Sequence, residues 1–240
     1  MNTIKAKDNS SMIVAKGLCK TFIMHNQGEQ MIPVFENLDL TVDKGECVVL
    51  HGPSGSGKST LMRALYGNYL INKGSLLIDH KNQWVDMSQA QPQQILDVRK
   101  STMGYVSQFL RAIPRVKTLD IVAEPLVVLG EDEKNARDRA GELLNRVGVP
   151  QSLWGLPPAT FSGGEQQRVN IARGFITEYP VMLLDEPTAS LDSKNKQIVM
   201  DMICEATQRG AAIVGIFHDE DVRNFVGTRI YEIESKKEAA

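Results

Sequence analysis

The stretch Gly-Pro-Ser-Gly-Ser-Gly-Lys-Ser-Thr, residues 52–60, decides the fold. It follows the short apolar run Cys47–Leu50 and opens a helical pattern over Lys58–Tyr66, which predicts a buried strand, a glycine-rich loop and a helix in that order. Glycines let backbone N–H groups approach a phosphate closely, and the positive end of the following helix points at the same anion. The stretch therefore predicts a phosphate-binding loop that holds a nucleotide.

Two side chains in this loop have specific expected roles. Lys58 is expected to reach the β- and γ-phosphates of ATP, and Ser59 is expected to hold Mg²⁺. The cofactors predicted from the loop are therefore ATP and Mg²⁺. The residues predicted to bind the nucleotide here are Gly52, Pro53, Ser54, Gly55, Ser56, Gly57, Lys58, Ser59 and Thr60.

Two acids follow a second short apolar run, Val181–Leu184. A strand that ends in acids delivers carboxylates to the carboxyl edge of a parallel sheet, where ligands bind. Asp185 is expected to support Mg²⁺, usually through water, and Glu186 is expected to orient or polarise an attacking water. Two acids at a strand end could instead cap the next helix or face solvent, but the phosphate-binding loop favours the metal and water roles.

Apolar runs alternate with helical patterns along the second half of the chain. The third run is Ala211–Phe217, and helices are predicted at Asp132–Val147 and at Lys194–Gln208, the latter with Asp192 or Ser193 as its cap. Such alternation favours an α/β fold around a parallel sheet whose strands are apolar on both faces.

The first third of the chain has a different pattern. Short strand candidates at Met12–Lys16, Val34–Val42 and Ser75–Asp79 are separated by turn signals. This arrangement predicts an antiparallel β portion that leads into the α/β core.

The length of 240 residues is enough for one domain with a subdomain. The stretch 112–160 is mostly helical and is predicted to be a helical subdomain inserted into the core. The predicted organisation is a single domain over residues 12–234 with flexible tails at 1–11 and 235–240.

Composition narrows the class of partner. The net charge of −2 gives no overall positive field, so no nucleic-acid partner is expected, although a local basic patch stays open. Cys19, Cys47 and Cys204 are widely spaced and match no metal or redox pattern, which favours reduced thiols and a cytoplasmic location. No apolar run approaches the roughly 18 residues of a membrane helix, so no direct membrane insertion is expected.

Residues 161–168 read Phe-Ser-Gly-Gly-Glu-Gln-Gln-Arg and precede a helical run. They resemble the signature of the ATP-binding-cassette (ABC) family, whose usual form is Leu-Ser-Gly-Gly-Gln, with departures at Phe161 and Glu165. The resemblance implies a P-loop NTPase ABC nucleotide-binding domain with an antiparallel β subdomain and an inserted helical subdomain. It also implies a head-to-tail dimer in which each signature covers the γ-phosphate held by the other subunit. The signature residues implied to bind that nucleotide are Ser162, Gly163, Gly164 and Glu165.

Further elements resemble the ABC family in the same chain order. The resemblance implies that Gln108 senses the γ-phosphate, that His218 is the switch histidine, and that Phe22 stacks on adenine. Ser190–Asp192 matches the loop that crosses the family's dimer interface. From the residues alone, His218 could be a structural residue at a strand end and Phe22 could pack in the core, so both alternatives stay open.

All groups that the family uses for ATP hydrolysis are present, which implies a Mg-dependent ATPase rather than a passive ATP-binding protein. They position reactants and stabilise charge, and closure of the dimer around ATP is the step expected to do work. The predicted catalytic residues are Glu186, His218, Gln108 and Lys58, and the predicted metal-binding residues are Ser59, Gln108 and Asp185.

Longer segments resemble the PhnL family of cassette subunits from the bacterial carbon–phosphorus lyase (phosphonate utilisation) system. These segments are Gly45–Gly52, Tyr105–Arg115, Thr160–Phe175 and Ala211–Glu220. The resemblance implies a second cassette and soluble lyase core subunits as partners. It also implies a part in the step that forms α-D-ribose 1-methylphosphonate 5-triphosphate from ATP and a phosphonate with release of adenine. No motif here offers a group that cleaves the adenine–ribose bond, so the chain is expected to be the ATP-driven accessory.

An alternative is the ATPase subunit of a membrane transporter of the lipoprotein-release or macrolide-export type. Such proteins usually read Ala-Asp-Glu-Pro-Thr-Gly-Asn-Leu-Asp where this chain has Leu184–Asp192, and Thr-His-Asp where it has Phe217–Asp219. The partner surface is expected around Gln108–Arg115. The sequence leaves open whether the dimer is homomeric, which phosphonate is used, and what Trp84 and Trp154 do.

Overall fold

The computed structural model describes residues 10–24, 29–110 and 114–233, and within them the chain forms nine strands and seven α-helices. The strands are β1 (Ser11–Met24), β2 (Gln30–Asp43), β3 (Cys47–His51), β4 (Lys73–His80), β5 (Gln83–Asp86), β6 (Met103–Val106), β7 (Val181–Asp185), β8 (Ala212–Ile216) and β9 (Arg229–Glu232). The helices are α1 (Lys58–Leu65), α2 (Pro92–Ser101), α3 (Thr118–Val128), α4 (Glu133–Arg146), α5 (Gly163–Phe175), α6 (Ser193–Gln208) and α7 (Glu220–Val226).

An antiparallel sheet forms most of the first third of the chain, with strand order β2-β1-β4-β5. β1 lies between β2 and β4, so Ile13 is opposite Val42 on one side and Ile78 on the other, and all three are fully buried. Such apolar cross-strand pairs are the main source of stability in an antiparallel sheet.

The second sheet is parallel throughout, in the order β6-β7-β8-β3-β9. Its central strands β3, β7 and β8 are apolar on both faces because both faces are covered. In β3, for example, Cys47 and Val49 face one hydrophobic core while Val48 and Leu50 face the other.

Each face of the parallel sheet has its own cover. One core is completed by α3, α4, α5, α6 and α7, and the other by α1, α2 and the antiparallel sheet. The carboxyl ends of β3, β6, β7 and β8 consequently meet at one edge, where the loops that follow them come together.

The α/β class with an antiparallel sheet and helical insertions, predicted from the sequence, is confirmed. The boundaries differ in detail: α6 begins at Ser193 with Asp192 as its cap, since the Asp192 carboxylate accepts from the Asn195 N–H at 2.9 Å. The sequence patterns do not predict β5, β6, β9, α2 or α7, because these elements are short or lack a clear apolar period.

The predicted domain limits stay a prediction. β1 begins at Ser11, inside the predicted first tail, and residues 1–9 and 234–240 lie outside the described residues. The predicted helical subdomain contains α3 and α4. Both helices pack against α5, which follows the subdomain in the chain. None of the helices in the described ranges is long and apolar enough to cross a membrane.

The two tryptophans have different surroundings. The Trp154 ring lies over Gly141 of α4, where an added Cβ would come within 2.9 Å of the ring, and its Nε1–H donates to the Val149 carbonyl oxygen. Trp154 therefore packs the segment after α4 back against that helix. Trp84 lies on β5 and is 45% exposed.

Replacing Leu183 of β7 with Ala is expected to lower the free energy of unfolding by about 2–5 kcal/mol, because Leu183 is fully buried in the central sheet. Leu70→Ala, at an 81% exposed position, is the control and should change it by about 0.5 kcal/mol or less. Urea denaturation followed by circular dichroism measures both. Equal losses in the two variants would contradict the assignment of the core.

Candidate active site

The loop between β3 and α1 can be built only with glycine at two positions. Gly52 has φ +147°, and a Cβ there would lie 2.4 Å from the Ile233 carbonyl oxygen. Gly57 has φ +95°, and a Cβ there would lie 2.7 Å from Cγ1 of Val34. The missing side chains keep the loop close to its neighbours and leave its backbone open on the other side.

Polar groups of this loop are available for an anion. The Lys58 ammonium folds back and donates to the carbonyl oxygens of Gly52 and Pro53 at 2.7 and 2.8 Å. The Ser56 hydroxyl is buried and has no hydrogen-bond partner among the residues described. Ser54 and Ser59 are exposed, and Thr60 is half-buried. This combination of an orphaned hydroxyl, an ammonium and an open glycine backbone fits a polyphosphate.

Glu186 is the centre of a three-residue contact. Its carboxylate accepts from the Gln108 side-chain amide at 3.1 Å through Oε2, and its Oε1 lies 2.7 Å from Nε2 of His218. Its backbone has φ +54°, and its N–H donates to the Ile216 carbonyl oxygen at 3.0 Å. The structure thus brings together three of the predicted catalytic residues, from the ends of β6, β7 and β8.

Asp185, at the end of β7, lies deeper than Glu186. Burial raises the pKa of the Asp185 carboxyl, the adjacent Glu186 raises it further, and a hydrogen bond from the Tyr105 hydroxyl at 3.1 Å opposes both. Burial likewise raises the pKa of Tyr105 well above its usual range, so the tyrosine stays protonated and acts as the donor. The sequence motifs predicted no role for Tyr105, because its partner Asp185 lies far along the chain.

Two amides of α5 hold the neighbouring loops, and sequence analysis missed both. The Asn170 side chain donates to the Ser107 carbonyl oxygen, next to Gln108. The buried Gln167 side chain donates to the Pro187 carbonyl oxygen at 3.0 Å, immediately after Glu186. Helix α5 therefore holds both segments that carry predicted catalytic residues. Phe109 beyond Gln108 is largely exposed, and residues 111–113 of the predicted partner surface lie outside the described residues.

A cleft opens beside Gln108, between α1, β6 and α5. Its volume is about 410 Å³, and Arg63, Tyr69, Tyr105, Phe109 and Asp185 are among its lining residues.

The signature begins α5 with a reciprocal cap. The Ser162 hydroxyl and backbone N–H both donate to Oε2 of Glu165, at 2.7 and 2.8 Å, and the Glu165 N–H donates back to the serine oxygen. These bonds hold the pKa of Glu165 below its usual range. An added Cβ at Gly163 would meet nothing, and one at Gly164 would lie 3.1 Å from the Ser190 carbonyl oxygen. The signature thus adjoins the predicted dimer-crossing loop of its own chain.

Phe22 is half-buried on β1, and its ring meets the Tyr69 ring edge-on, with centroids 5.3 Å apart. The buried Lys20 ammonium lies 4.6 Å from the Phe22 centroid and donates to the Leu70 carbonyl oxygen. The structure therefore places Phe22 against the segment after α1. Its predicted role in adenine stacking stays a prediction.

Comparison with known proteins decides the family. Residues 35–189, more than half of the chain, match the family model described as ABC transporter. This chain belongs to the ABC transporter family. ATP with Mg²⁺ is accordingly the ligand of the cassette, as the phosphate-binding loop predicted.

Similar proteins agree with this assignment. The chain is 32% identical to the uncharacterized ABC transporter ATP-binding protein YvrO of Bacillus subtilis, over 88% of this chain and 89% of the relative. It is 33% identical to the lipoprotein-releasing system ATP-binding protein LolD of Alcanivorax borkumensis, over 89% and 91%. It is 36% identical to the macrolide export ATP-binding/permease protein MacB of Escherichia coli, but spans only 31% of that relative's length.

A solved cassette has the same fold. The dimeric structure of a post-hydrolysis state of the ATP-binding cassette MJ0796, bound to ADP and Pi, matches with a TM-score of 0.84 and 31% identity, over 94% of this chain and 97% of that one. These relatives do not support the resemblance to the carbon–phosphorus lyase cassettes, which stays a prediction.

Replacing Tyr105 of the cassette with Phe is expected to raise the pKa of the Asp185 carboxyl further, because the variant loses the hydrogen bond that favours the ionised form. As the protein is acidified, Asp185 should then take up its proton at a higher pH than in the native chain. A ¹³C NMR titration of the nucleotide-free protein measures this. Tyr179→Phe is the matched control, and an unchanged or lower pKa in the Tyr105 variant would contradict the assigned bond.

Proposed function

We propose that this chain hydrolyses Mg-ATP at a site that a second cassette completes. The observation that carries the proposal is the Glu186 carboxylate held between Gln108 and His218 at the carboxyl edge of the parallel sheet. A carboxylate fixed on both oxygens, at the same sheet edge as a phosphate-binding loop, is suited to orient or polarise an attacking water.

The remaining groups of the site have roles that follow from their positions. Lys58 exchanges its two carbonyl partners for phosphate oxygens, with which an ammonium pairs more strongly. Ser56 gains the hydrogen-bond partner that it lacks. His218, bound to Glu186 through Nε2, fixes the direction of the carboxylate, and its proposed partner in the closed site is a terminal phosphate.

The metal would be held by Ser59, Gln108 and Asp185. No group of three or more His, Cys, Asp or Glu residues that could hold a metal exists among the described residues. That fits Mg²⁺, which usually takes one or two carboxylates and completes its shell with water and phosphate oxygens. When bound, Mg²⁺ supplies charge neutralisation at those oxygens. The hydrogen bond from Tyr105 favours the ionised form of Asp185 and so opposes the rise in its pKa that burial causes.

The second cassette is proposed from the exposed signature. Ser162 and Glu165 satisfy each other's hydrogen bonds on an exposed face, and Gly163 is open to solvent. In a head-to-tail dimer this face, with Ser162, Gly163, Gly164 and Glu165, would meet the phosphates held by the other chain. The similar solved cassette is dimeric and bound to ADP and Pi, which supports the arrangement.

Replacing Glu186 with Gln is expected to lower kcat for ATP hydrolysis by about 10²-fold or more, because the amide cannot accept a proton from water. Binding of ATP should persist, so an ATP-dependent dimer should accumulate in size-exclusion chromatography with light scattering. Glu133→Gln, at an exposed position on α4, is the control and should behave as the native chain. Native turnover in the Glu186 variant, or no dimer with ATP, would refute the proposed site.

The partner best supported by the comparisons is a membrane transporter. Two of the relatives named above are a lipoprotein-releasing ATPase and a macrolide export ATP-binding/permease protein. We propose that ATP hydrolysis by this chain drives a permease of that kind. The permease docks on the surface of this chain near Gln108.

The carbon–phosphorus lyase system is a second candidate, favoured by one specific observation. Phe217, where transporters of the rival type usually have Thr, is buried, and its ring fills the space beside Gly215, where an added Cβ would come within 2.3 Å. Phe217, which replaces the usual Thr, is therefore part of the hydrophobic core next to His218. Ala189-Ser190 in place of Gly-Asn departs in the same direction.

A tagged pull-down from phosphate-starved cells distinguishes the two candidate partners. The tagged chain is recovered in parallel from detergent-solubilised membranes and from the soluble fraction. The transporter proposal expects a permease with membrane-spanning helices in the membrane arm. Soluble lyase subunits in the other arm, with no permease, would replace it by the second candidate. Glu186→Gln is compared with Lys58→Met, since only the former should retain ATP and show whether nucleotide controls docking.

A further inference from the structure

The segment Phe217–Asp219 carries His218 from the end of β8 to α7, and it is held by side chains outside the site. The imidazole meets Glu186 on one side, whereas the backbone and the next side chain are held from α6 and α7 on the other. Phe217 is buried and Asp219 caps α7 through the Asp221 N–H, so both ends of the segment are fixed.

Arg223 of α7 reaches back to the backbone of this segment. Its Nη1 donates to the His218 carbonyl oxygen at 2.9 Å and to the Phe217 carbonyl oxygen at 3.3 Å. Arg223 is half-buried, and a planar guanidinium has its donors in a rigid arrangement. These two bonds fix the peptide units on either side of the His218 Cα.

Lys196 of α6 holds the residue that follows His218. Its ammonium forms an ion pair with the Asp219 carboxylate, and both side chains are about one third exposed. The Lys196 N–H donates to the Asp192 carbonyl oxygen at 2.8 Å, so Lys196 lies in the first turn after the Ser190–Asp192 loop. The ion pair therefore connects the predicted dimer-crossing loop to the histidine segment.

We propose that Arg223 and Lys196 are positioning residues that hold His218 against Glu186 and couple its position to the Ser190–Asp192 loop at the interface with a second copy of the cassette. The inference rests on the proposed function, because His218 has no task without a nucleotide to hydrolyse. Displacing a catalytic group by about 1 Å can cost about 10²-fold in rate, so two distant side chains can control turnover without touching substrate.

The test removes each contact and keeps the side-chain length. Arg223→Met and Lys196→Met are compared with the conservative variants Arg223→Lys and Lys196→Arg. Arg209→Met and Lys134→Met are the matched controls, since both residues lie on exposed helix ends away from the histidine segment. Each contact-removing variant is also made in a His218→Ala background.

Two measurements are made on every protein. Steady-state kinetics give kcat and KM for ATP, and we expect kcat to fall about 10-fold with KM changed less than about twofold, with partial recovery in the conservative variants. In the His218→Ala background the same changes should cause no further loss of kcat, because the residues act through the missing imidazole. The second measurement, ¹⁵N NMR of the nucleotide-free protein, follows the two ring nitrogens of His218, one of four histidines. Their signals should change in the Met variants and stay native in the controls.

The outcomes separate the two proposals. If the native chain hydrolyses ATP but the variants retain kcat, or lose as much in the His218→Ala background as in the native one, the positioning role is overturned and the proposed function stands. If the native chain does not hydrolyse ATP, the proposed function falls and the ring-nitrogen signals decide alone. Unchanged His218 signals in Arg223→Met and Lys196→Met would then overturn the positioning role as well.

Discussion

Burial of the parallel sheet on both faces is the constraint on which the rest of the structure depends. Strands such as β7 place alternate residues in two different hydrophobic cores, so neither register nor direction can shift without exposing one of them. Because neighbouring strands run parallel, their carboxyl ends coincide at one edge. The glycine loop, the Gln108 segment, the acid pair and His218 are close together because four strands end side by side.

The site has two acidic side chains next to the buried core of the sheet. Asp185 and Glu186 are adjacent acids at the end of a buried strand, and burial works against ionisation of the first. Neutral groups donate a hydrogen bond to each carboxylate: the Tyr105 hydroxyl donates to Asp185, and the Gln108 side-chain amide donates to Glu186. Neutral donors stabilise a carboxylate without cancelling its charge, which leaves the acids able to attract a cation.

Much of the fold follows from local sequence signals, and the gaps have physical reasons. The runs Cys47–Leu50 and Val181–Leu184 are apolar on both faces and lie between Gly, Pro or charged residues, so strand type and burial could be derived directly. Short elements such as β5 and β9 have no such pattern because they lie at sheet edges with mixed exposure. Whether these residues form a strand depends on the neighbouring strand with which they pair, and not on their own pattern.

The site residues divide in a similar way. Those with a role in a local motif, such as Lys58 in the glycine loop, could be predicted by their spacing. Tyr105, Gln167 and Asn170 could not, because each acts on a residue far along the chain. The roles predicted for Phe22 and for the signature also exceed what one chain shows, since they require a base and a second subunit to supply the other half of each contact.

The reciprocal cap at the start of α5 has a consequence for the energetics of assembly. The Ser162 hydroxyl and N–H already bind an anion, the Glu165 carboxylate of the same turn. In the proposed head-to-tail dimer, a phosphate held by the second cassette would replace one negative group by another, and the gain would be the difference between two sets of hydrogen bonds of the same type. Association at this surface would then be an exchange of hydrogen-bond partners, which the loss of the phosphate would reverse.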